Sequence, residues 1–193
     1  MLNRKEILLH LKPILVSTLP DNYLYSASFR LAAVLIIIHY IHIMPHILLI
    51  KRSSKMRLHA NEISFPGGTY IREDKSLYGT AIRETKEEIG LTFKHKDIIG
   101  SLAEVRTLTS NSIIIPFITL RDKIPKPKIH VDEVEAIIDA PLIEILETMV
   151  PDTDHYHLSV EGAYKFTYRN EVIWGATARI LKQLHDCLCI KHK

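Results

Sequence analysis

The chain has 193 residues, 47% of them apolar and 24% charged, with a formal charge of +3 and a pI near 8.8. That length holds one well-cored domain and crowds two, and the composition is that of an ordinary globular protein. The weak positive charge suits an anionic small molecule; with no long basic run it gives no ground for a nucleic-acid partner.

Ile7, Leu8, Leu11 and Ile14 fall at helical spacing within residues 3–18, so a short amphipathic helix opens the chain. The first fifteen residues carry no signal-peptide cleavage pattern, and Arg4, Lys5, His10 and Lys12 interrupt their apolar character. Residues 31–50, LAAVLIIIHYIHIMPHILLI, form an uncharged run long enough to span a bilayer. His39, His42 and His46 would put polar rings in hydrocarbon, Pro45 would break the span, and Val34 with Ile36–Ile38 is β-branched. The run is therefore read as two strands, about 32–40 and 47–52, joined by a turn in HIMPH, and no membrane partner is expected.

A polar loop then leads through Ile63–Phe65 into Pro66-Gly67-Gly68. A helix follows from about Ser76, with Ser76 or Asp74 as its cap and Gly90 just past its end. Tyr78, Ile82 and Ile89 give it an apolar face, with the carboxylates to the side and open to a cleft or to solvent. Downstream, IIGSLAEVRTL and NSIIIPFITL read as strands, and Lys123–Lys128 as a surface loop. EVEAIIDAPL runs from a strand into a short helix, Leu142–Met149. AYKFTYRNEVIW is a hairpin turning at Arg169–Asn170, and a last helix runs from near Gly175 to about Cys187. Cys187 and Cys189 are too close for an unstrained bridge and lack zinc-spaced partners; they read as free thiols of a reducing, cytoplasmic compartment. The order of elements implies a mixed sheet with helices packed on it.

The chemistry concentrates in AIRETKEEIG, residues 81–90. On a helix Glu84, Glu87 and Glu88 share one stripe, where like charges repel by a few tenths of a kcal/mol per pair. Such a stripe is either a solvated face or a cation site. Hard divalent cations such as magnesium take oxygen ligands, which carboxylates one turn apart and a free backbone carbonyl supply. Gly67 and Gly68 let the backbone approach an ion or a phosphate closely. Arg83 would be the internal counter-charge that orients Glu84, and metal-assisted hydrolysis is the natural chemistry.

Gly67-Gly68 followed by Arg83-Glu84-Thr85-Lys86-Glu87-Glu88-Ile89-Gly90-Leu91 resembles the Nudix box of the Nudix hydrolases, which cut nucleoside diphosphates linked to another moiety. Two features depart from the general box: Gly68 and Arg83 are 15 positions apart, one more than usual, and Lys75 stands where the box has Glu, with Asp74 beside it. The coenzyme A pyrophosphatase branch has that longer spacing with an Asp. Its second signature is similar to Leu48-Leu49-Ile50-Lys51-Arg52-Ser53, then His59-Ala60-Asn61, then Phe65-Pro66-Gly67-Gly68. Asn61 replaces a usual Gly and tolerates the same left-handed backbone, so the turn is expected to persist. Thr69 replaces a commonly basic residue. Residues 173–181 and the segment from Pro116 also resemble that branch, so the likeness covers about residues 30–185.

The resemblance implies an α/β fold, a Nudix-type α/β/α sandwich with a mixed β-sheet, as a single domain over residues 1–193. It implies Mg2+ or Mn2+ held by Gly68, Glu84, Glu87 and Glu88, and catalysis by Glu84, Glu87 and Arg83. The general base stays open among the glutamates. Lys51, Arg52, Arg57, His59 and Gly67 are the candidate substrate contacts, the basic ones being equally readable as a solvated loop. Glu133 and Glu135 read as surface residues before any role as an extra carboxylate, and Trp174 as a core or corner residue. The expected reaction is hydrolysis of coenzyme A or its thioesters to 3′,5′-ADP and a 4′-phosphopantetheine species. Another nucleoside diphosphate substrate, such as ADP-ribose or NADH, or a silent nucleotide-binding module, is the alternative. The oligomeric state is left open, a homodimer included.

Overall fold

In the computed structural model, residues 2–16, 29–56, 58–107, 111–154 and 163–188 are described. Helix α1 (Arg4–Leu11) is capped by Asn3, whose side chain accepts from Lys5 and Glu6 N–H, and it ends in a 3-10 turn at Pro13. Ile7 and Leu11 are its buried residues; Leu8 and Ile14 stay half-buried.

The apolar run of residues 31–50 forms two antiparallel strands, β1 (Arg30–Ile41) and β2 (Met44–Arg52). Their turn is tighter than the sequence suggests: His42 and Ile43 alone make it, His42 at a φ of 54°. Pro45 sits inside β2, ahead of His46, where β2 first meets its other neighbour, so its missing N–H interrupts nothing on that side. The run is apolar throughout because both sheet faces are covered. Leu31, Ala33, Leu35 and Ile37 point to one face, Ile36 and Ile38 to the other. No helix among the described residues is long and apolar enough to cross a membrane.

The remaining strands are β3 (Ile63–Ser64), β4 (Gly67–Thr69), β5 (Ile98–Ser101), β6 (Val105–Arg106), β7 (Ser112–Arg121), β8 (Val134–Pro141), β9 (Val150–Pro151), β10 (Tyr164–Tyr168) and β11 (Glu171–Ile173). The helices are α2 (Leu77–Ile89), α3 (Leu142–Glu147) and α4 (Gly175–Leu188). β1 to β8 form one mixed sheet, in which β1 and β7 run parallel and the other pairs antiparallel. Pro116 lies within central β7, yet it costs no ladder bond on the β5–β6 side. Pairing there passes from Ile114 to Phe117, and Leu102 N–H meets the Pro116 carbonyl in the gap.

One feature of this sheet positions the site. β7 occupies one edge of β1 along its length, and β8 occupies one edge of β2. On their facing edges β1 and β2 pair only from Ile37↔Leu48 to Ile41↔Met44, then part. Residues 63–69 fill the opening: β3 pairs with β2, β4 pairs with β1, and Leu35 N–H donates to Pro66 C=O between them. The Gly67-Gly68 turn is thus built into the sheet as a wedge.

α2 packs on one face, over Leu35, Ile37, Leu48, Ile50 and Phe117; α1, α3 and α4 cover the other, over Ile36, Ile38, Ile47 and Leu49. The architecture is the expected α/β/α sandwich. The hairpin at Arg169–Asn170 and the start of the last helix at Gly175 are as read from the sequence. Cys187 is a buried free thiol, and Cys189 lies outside the described residues.

At the far end of the β1–β2 pair, His39 Nε2 and His46 Nδ1 each lie 3.0 Å from Asp139 Oδ1 on β8. Burial works against the Asp139 charge, but both histidines outweigh it and hold the carboxyl below its ordinary value. A depressed acid contributes stability above the unfolded carboxylate range and loses it as the pH falls through the folded value. Asp139→Asn should therefore cost about 1–3 kcal/mol at neutral pH, toward the low end because the carboxyl is 36% exposed. The gap between wild type and variant should close below about pH 4. Urea melts at pH 7 and pH 3 measure it; a gap that widens in acid would refute the assignment.

Candidate active site

α2 begins where the sequence places it. Ser76 accepts from Gly79 N–H at 3.1 Å, and Gly90 ends the helix in a left-handed turn at a φ of 70°. Its inner face differs from expectation. Leu77, Thr80, Ala81, Thr85, Glu88 and Ile89 are buried, whereas Tyr78 and Ile82 are only half-buried. The reason lies outside the helix: the wedge covers one flank, and residues 128–130 cover its last turn. That stretch adjoins the expected surface loop. Lys128 and His130 N–H donate to the Ile89 and Glu88 carbonyls at 2.8 and 2.9 Å.

The acidic stripe is consequently not uniform. Glu87 is half-exposed, Glu84 is mostly covered, and the Glu88 side chain is 3% exposed. Gly67 N–H donates to Glu88 Oε2 at 2.8 Å, and Arg52 Nη1 stands 3.7 Å from Glu88 Oε1. Burial pushes the Glu88 carboxyl up to about 8 against the pull of those two partners. Glu84 is raised too, by burial first, with Arg83 opposing and Glu87 and Glu133 adding like charge. Glu133, read from sequence as a surface residue, is 41% exposed and adds like charge to both Glu84 and Glu88. Ser53 N–H binds the Glu133 carbonyl at the entry to β8, a tertiary contact no local pattern announces.

Arg83 is the hub. Its Nε lies 2.6 Å from Asp74 Oδ1, Nη2 lies 2.8 Å from Glu84, and Nη1 lies 2.8 Å from Glu87. Hydrogen bonding to Asp74 raises the guanidinium further from any neutral form. Asp74 is fixed in turn by Thr80 Oγ1 at 2.7 Å and Ile71 N–H at 3.2 Å, with Lys75 turning the chain at a φ of 63°. Asp74, just ahead of the left-handed Lys75, thus places a carboxylate on Arg83.

The residues of the expected ligand set, Gly68, Glu84, Glu87 and Glu88, lie together around the wedge but are engaged with other partners. Among the described residues no three acidic, imidazole or thiol groups converge closely enough to enclose an ion by themselves. Arg83 holds Glu84 and Glu87, while Glu88 is tied down to Gly67. The donor chemistry still fits a hard divalent cation: every side chain is a carboxyl, Gly68 offers a backbone carbonyl, and burial disfavours the Glu88 anion in a way that a cation would offset. Gly68 fits as well, since a Cβ there would fall 2.5 Å from the Glu84 carboxyl carbon.

The basic candidates divide. Lys51 is paired with Glu171 at 2.8 Å and Glu135 at 3.5 Å, so two carboxylates already take its charge. It is not among the residues that line the cavity described below. Arg52 and His59 do line it; Arg57 lies outside the described residues. Asn61 adopts the left-handed backbone anticipated for it, at a φ of 62°.

That cavity, of about 320 Å3, opens on the α4 side of the wedge. Gly67 and Gly68 form its border with the acidic stripe; Phe65, Val34, Ile114 and Ile180 supply apolar wall. Trp174, expected as a core or corner residue, lines it, as does Arg179, which the sequence reading left unassigned. The signal available for Arg179 was its place in the segment 173–181, already noted as resembling the coenzyme A branch.

A family model described as NUDIX domain matches residues 30–158. A Yersinia pestis protein described as an uncharacterized Nudix hydrolase, NudL, is 33% identical over 177 residues, covering 86% of this chain and 85% of its own. Among solved structures, a MutT/nudix family protein from Enterococcus faecalis has a TM-score of 0.59 at 14% identity, over 95% of this chain and 68% of that one. The NUDIX domain of Shewanella oneidensis NrtR, solved with ADP ribose, has a TM-score of 0.52 at 21% identity, over 72% of this chain and 88% of that one. At those identities the solved structures speak for the fold alone.

Proposed function

Because the chain belongs to the Nudix domain family, we propose that it hydrolyses the pyrophosphate bond of coenzyme A or its thioesters, giving 3′,5′-ADP and a 4′-phosphopantetheine species. The observation that carries this reading is the wall of the cavity. Arg52, His59, Glu62, Ser64 and Phe65 come from the segment that resembles the coenzyme A branch, and they stand beside Gly67 and Gly68. The Asp74–Arg83 contact gives the branch's longer loop a physical purpose.

In this reading Gly68, Glu84, Glu87 and Glu88 would hold Mg2+ or Mn2+, the ions Nudix enzymes generally use. Such an ion supplies Lewis-acid stabilisation of phosphate oxygens and lowers the pKa of a bound water. Arg83, anchored by Asp74, orients Glu84 and Glu87. Gly67 N–H orients Glu88. Arg52 lies between Glu88 and the cavity and offers a guanidinium to a phosphate oxygen there. The apolar wall of the cavity strengthens the interaction of Arg52 with such a phosphate by lowering the local dielectric.

The test is a panel of coenzyme A, acetyl-coenzyme A, ADP-ribose and NADH with pure protein and magnesium, with products identified by mass. Coenzyme A or its thioester should give the highest kcat/KM, and EDTA should abolish turnover. ADP-ribose or NADH cut more efficiently than coenzyme A would overturn the substrate assignment and leave the family membership standing.

A further inference from the structure

We propose that Arg179 is the substrate-selecting residue of the cavity, its guanidinium receiving a phosphate monoester that the substrate carries away from the bond being cut. This deepens the pyrophosphatase reading and rests on it. Arg179 stands in the second turn of α4, flanked by Ala178 and Ile180, which are buried in the core. Its own side chain instead lines the cavity together with Arg52, Trp174 and Ile114.

No carboxylate, carbonyl or aromatic ring among the described residues answers its charge. Every other half-buried arginine described has a carboxylate within 4 Å: Arg83 has Asp74, Glu84 and Glu87, and Arg52 has Glu88. Removing a guanidinium from water without an anion is costly, and here that burial alone lowers the Arg179 pKa. A cation kept at that cost in the wall of a partly apolar cavity is explained by an anion that arrives with the ligand. Arginine in particular matches the fork of phosphate oxygens with two parallel N–H bonds.

Position separates this role from the cleavage chemistry. Arg179 is on the α4 side of the glycine wedge and the acidic stripe is on the α2 side. Arg52, one of the candidate substrate contacts read from the sequence, is already drawn toward Glu88, and Lys51 is held by Glu171 and Glu135. A phosphate monoester at the nucleoside end would meet Arg179 while the pyrophosphate lies against the wedge.

The experiment compares wild type with Arg179→Ala, Arg179→Lys and Lys182→Ala; the last removes an equal charge from the same helix, where Lys182 pairs with Asp186. Calorimetry without metal gives the affinities for 3′,5′-ADP and 5′-AMP, and kinetics with magnesium give kcat/KM for coenzyme A and dephospho-coenzyme A. Wild type and Lys182→Ala should favour the ligand with the extra phosphate by about ten- to a hundredfold, the worth of one charge-assisted pair. Arg179→Ala should bring both ratios to within about threefold of one, through affinity and KM, and Arg179→Lys should keep part of each. A ratio unchanged in Arg179→Ala, one equally collapsed in Lys182→Ala, or a wild type without any preference for 3′,5′-ADP would overturn the inference. If wild type leaves coenzyme A intact yet loses its preference for 3′,5′-ADP in Arg179→Ala, the substrate reading falls and the selecting role stands. If coenzyme A is cut and Arg179→Ala keeps the wild-type ratios, the reverse holds.

Discussion

Glu84→Gln and Glu88→Gln should each slow coenzyme A hydrolysis by about 10²–10⁴-fold, equivalent to roughly 3–5 kcal/mol in the barrier. Both carboxylates border the glycine wedge, and each amide removes an anionic oxygen donor that a divalent cation prefers. The fold should persist. In Glu88→Gln the amide oxygen still accepts the Gly67 N–H, now 2.8 Å from Glu88 Oε2, and a carboxyl whose charged form burial disfavours gives way to a neutral group. In Glu84→Gln one like-charge neighbour of Glu87 and Glu133 disappears, while Arg83 keeps Asp74 and Glu87. Thermal melts without metal should therefore show the same or a higher midpoint. Steady-state kinetics at saturating magnesium decide the matter: near-normal turnover in both variants would remove the metal role from this stripe.

The second large effect separates two adjacent glycines. A Cβ on Gly67 would lie 2.3 Å from the Ala33 carbonyl oxygen and 2.6 Å from Val34 Cα, at a φ of 154° that side chains rarely adopt. Those neighbours are the backbone of β1, which is fixed on its other edge by β7, so the wedge must lift. Gly67→Ala should cost about 3 kcal/mol or more and lower the melting midpoint by roughly 6–12 °C. A Cβ on Gly68 would instead meet the Glu84 carboxyl, 2.5 Å from its carbon, which is the end of a flexible side chain. Gly68→Ala should melt within a few degrees of wild type and still lose about 10²-fold in kcat, because Glu84 is displaced. Equal melting points for the two variants, or full activity in Gly68→Ala, would contradict this account of the wedge.

The elements and the chemistry of the stripe were legible in the sequence because their causes are local. Ser76 and Gly90 bracket α2 by capping physics that needs only neighbouring residues. The β-branched run of residues 31–50 had to be strand once Pro45 and three histidines excluded a membrane helix. Asn61 could take the place of a glycine because its own backbone tolerates a positive φ.

What the sequence left open depends on which strands part and which stay paired. The splaying of β1 and β2 admits the Gly67-Gly68 wedge, and the wedge buries Glu88 while leaving Glu87 outside. No periodicity distinguishes two adjacent glutamates that tertiary contacts treat so differently. Lys51 and Arg52 looked alike as neighbours in one basic stretch. Alternation along β2 sends Lys51 toward Glu171 and Glu135 and Arg52 toward Glu88 and the cavity. Glu133 adds like charge to the stripe from 45 residues beyond Glu88, and Arg179 reaches the cavity from a separate helix. Local sequence fixes what each segment can form; the electrostatic environment of a side chain is set by groups distant along the chain, and only the packed sheet brings those together.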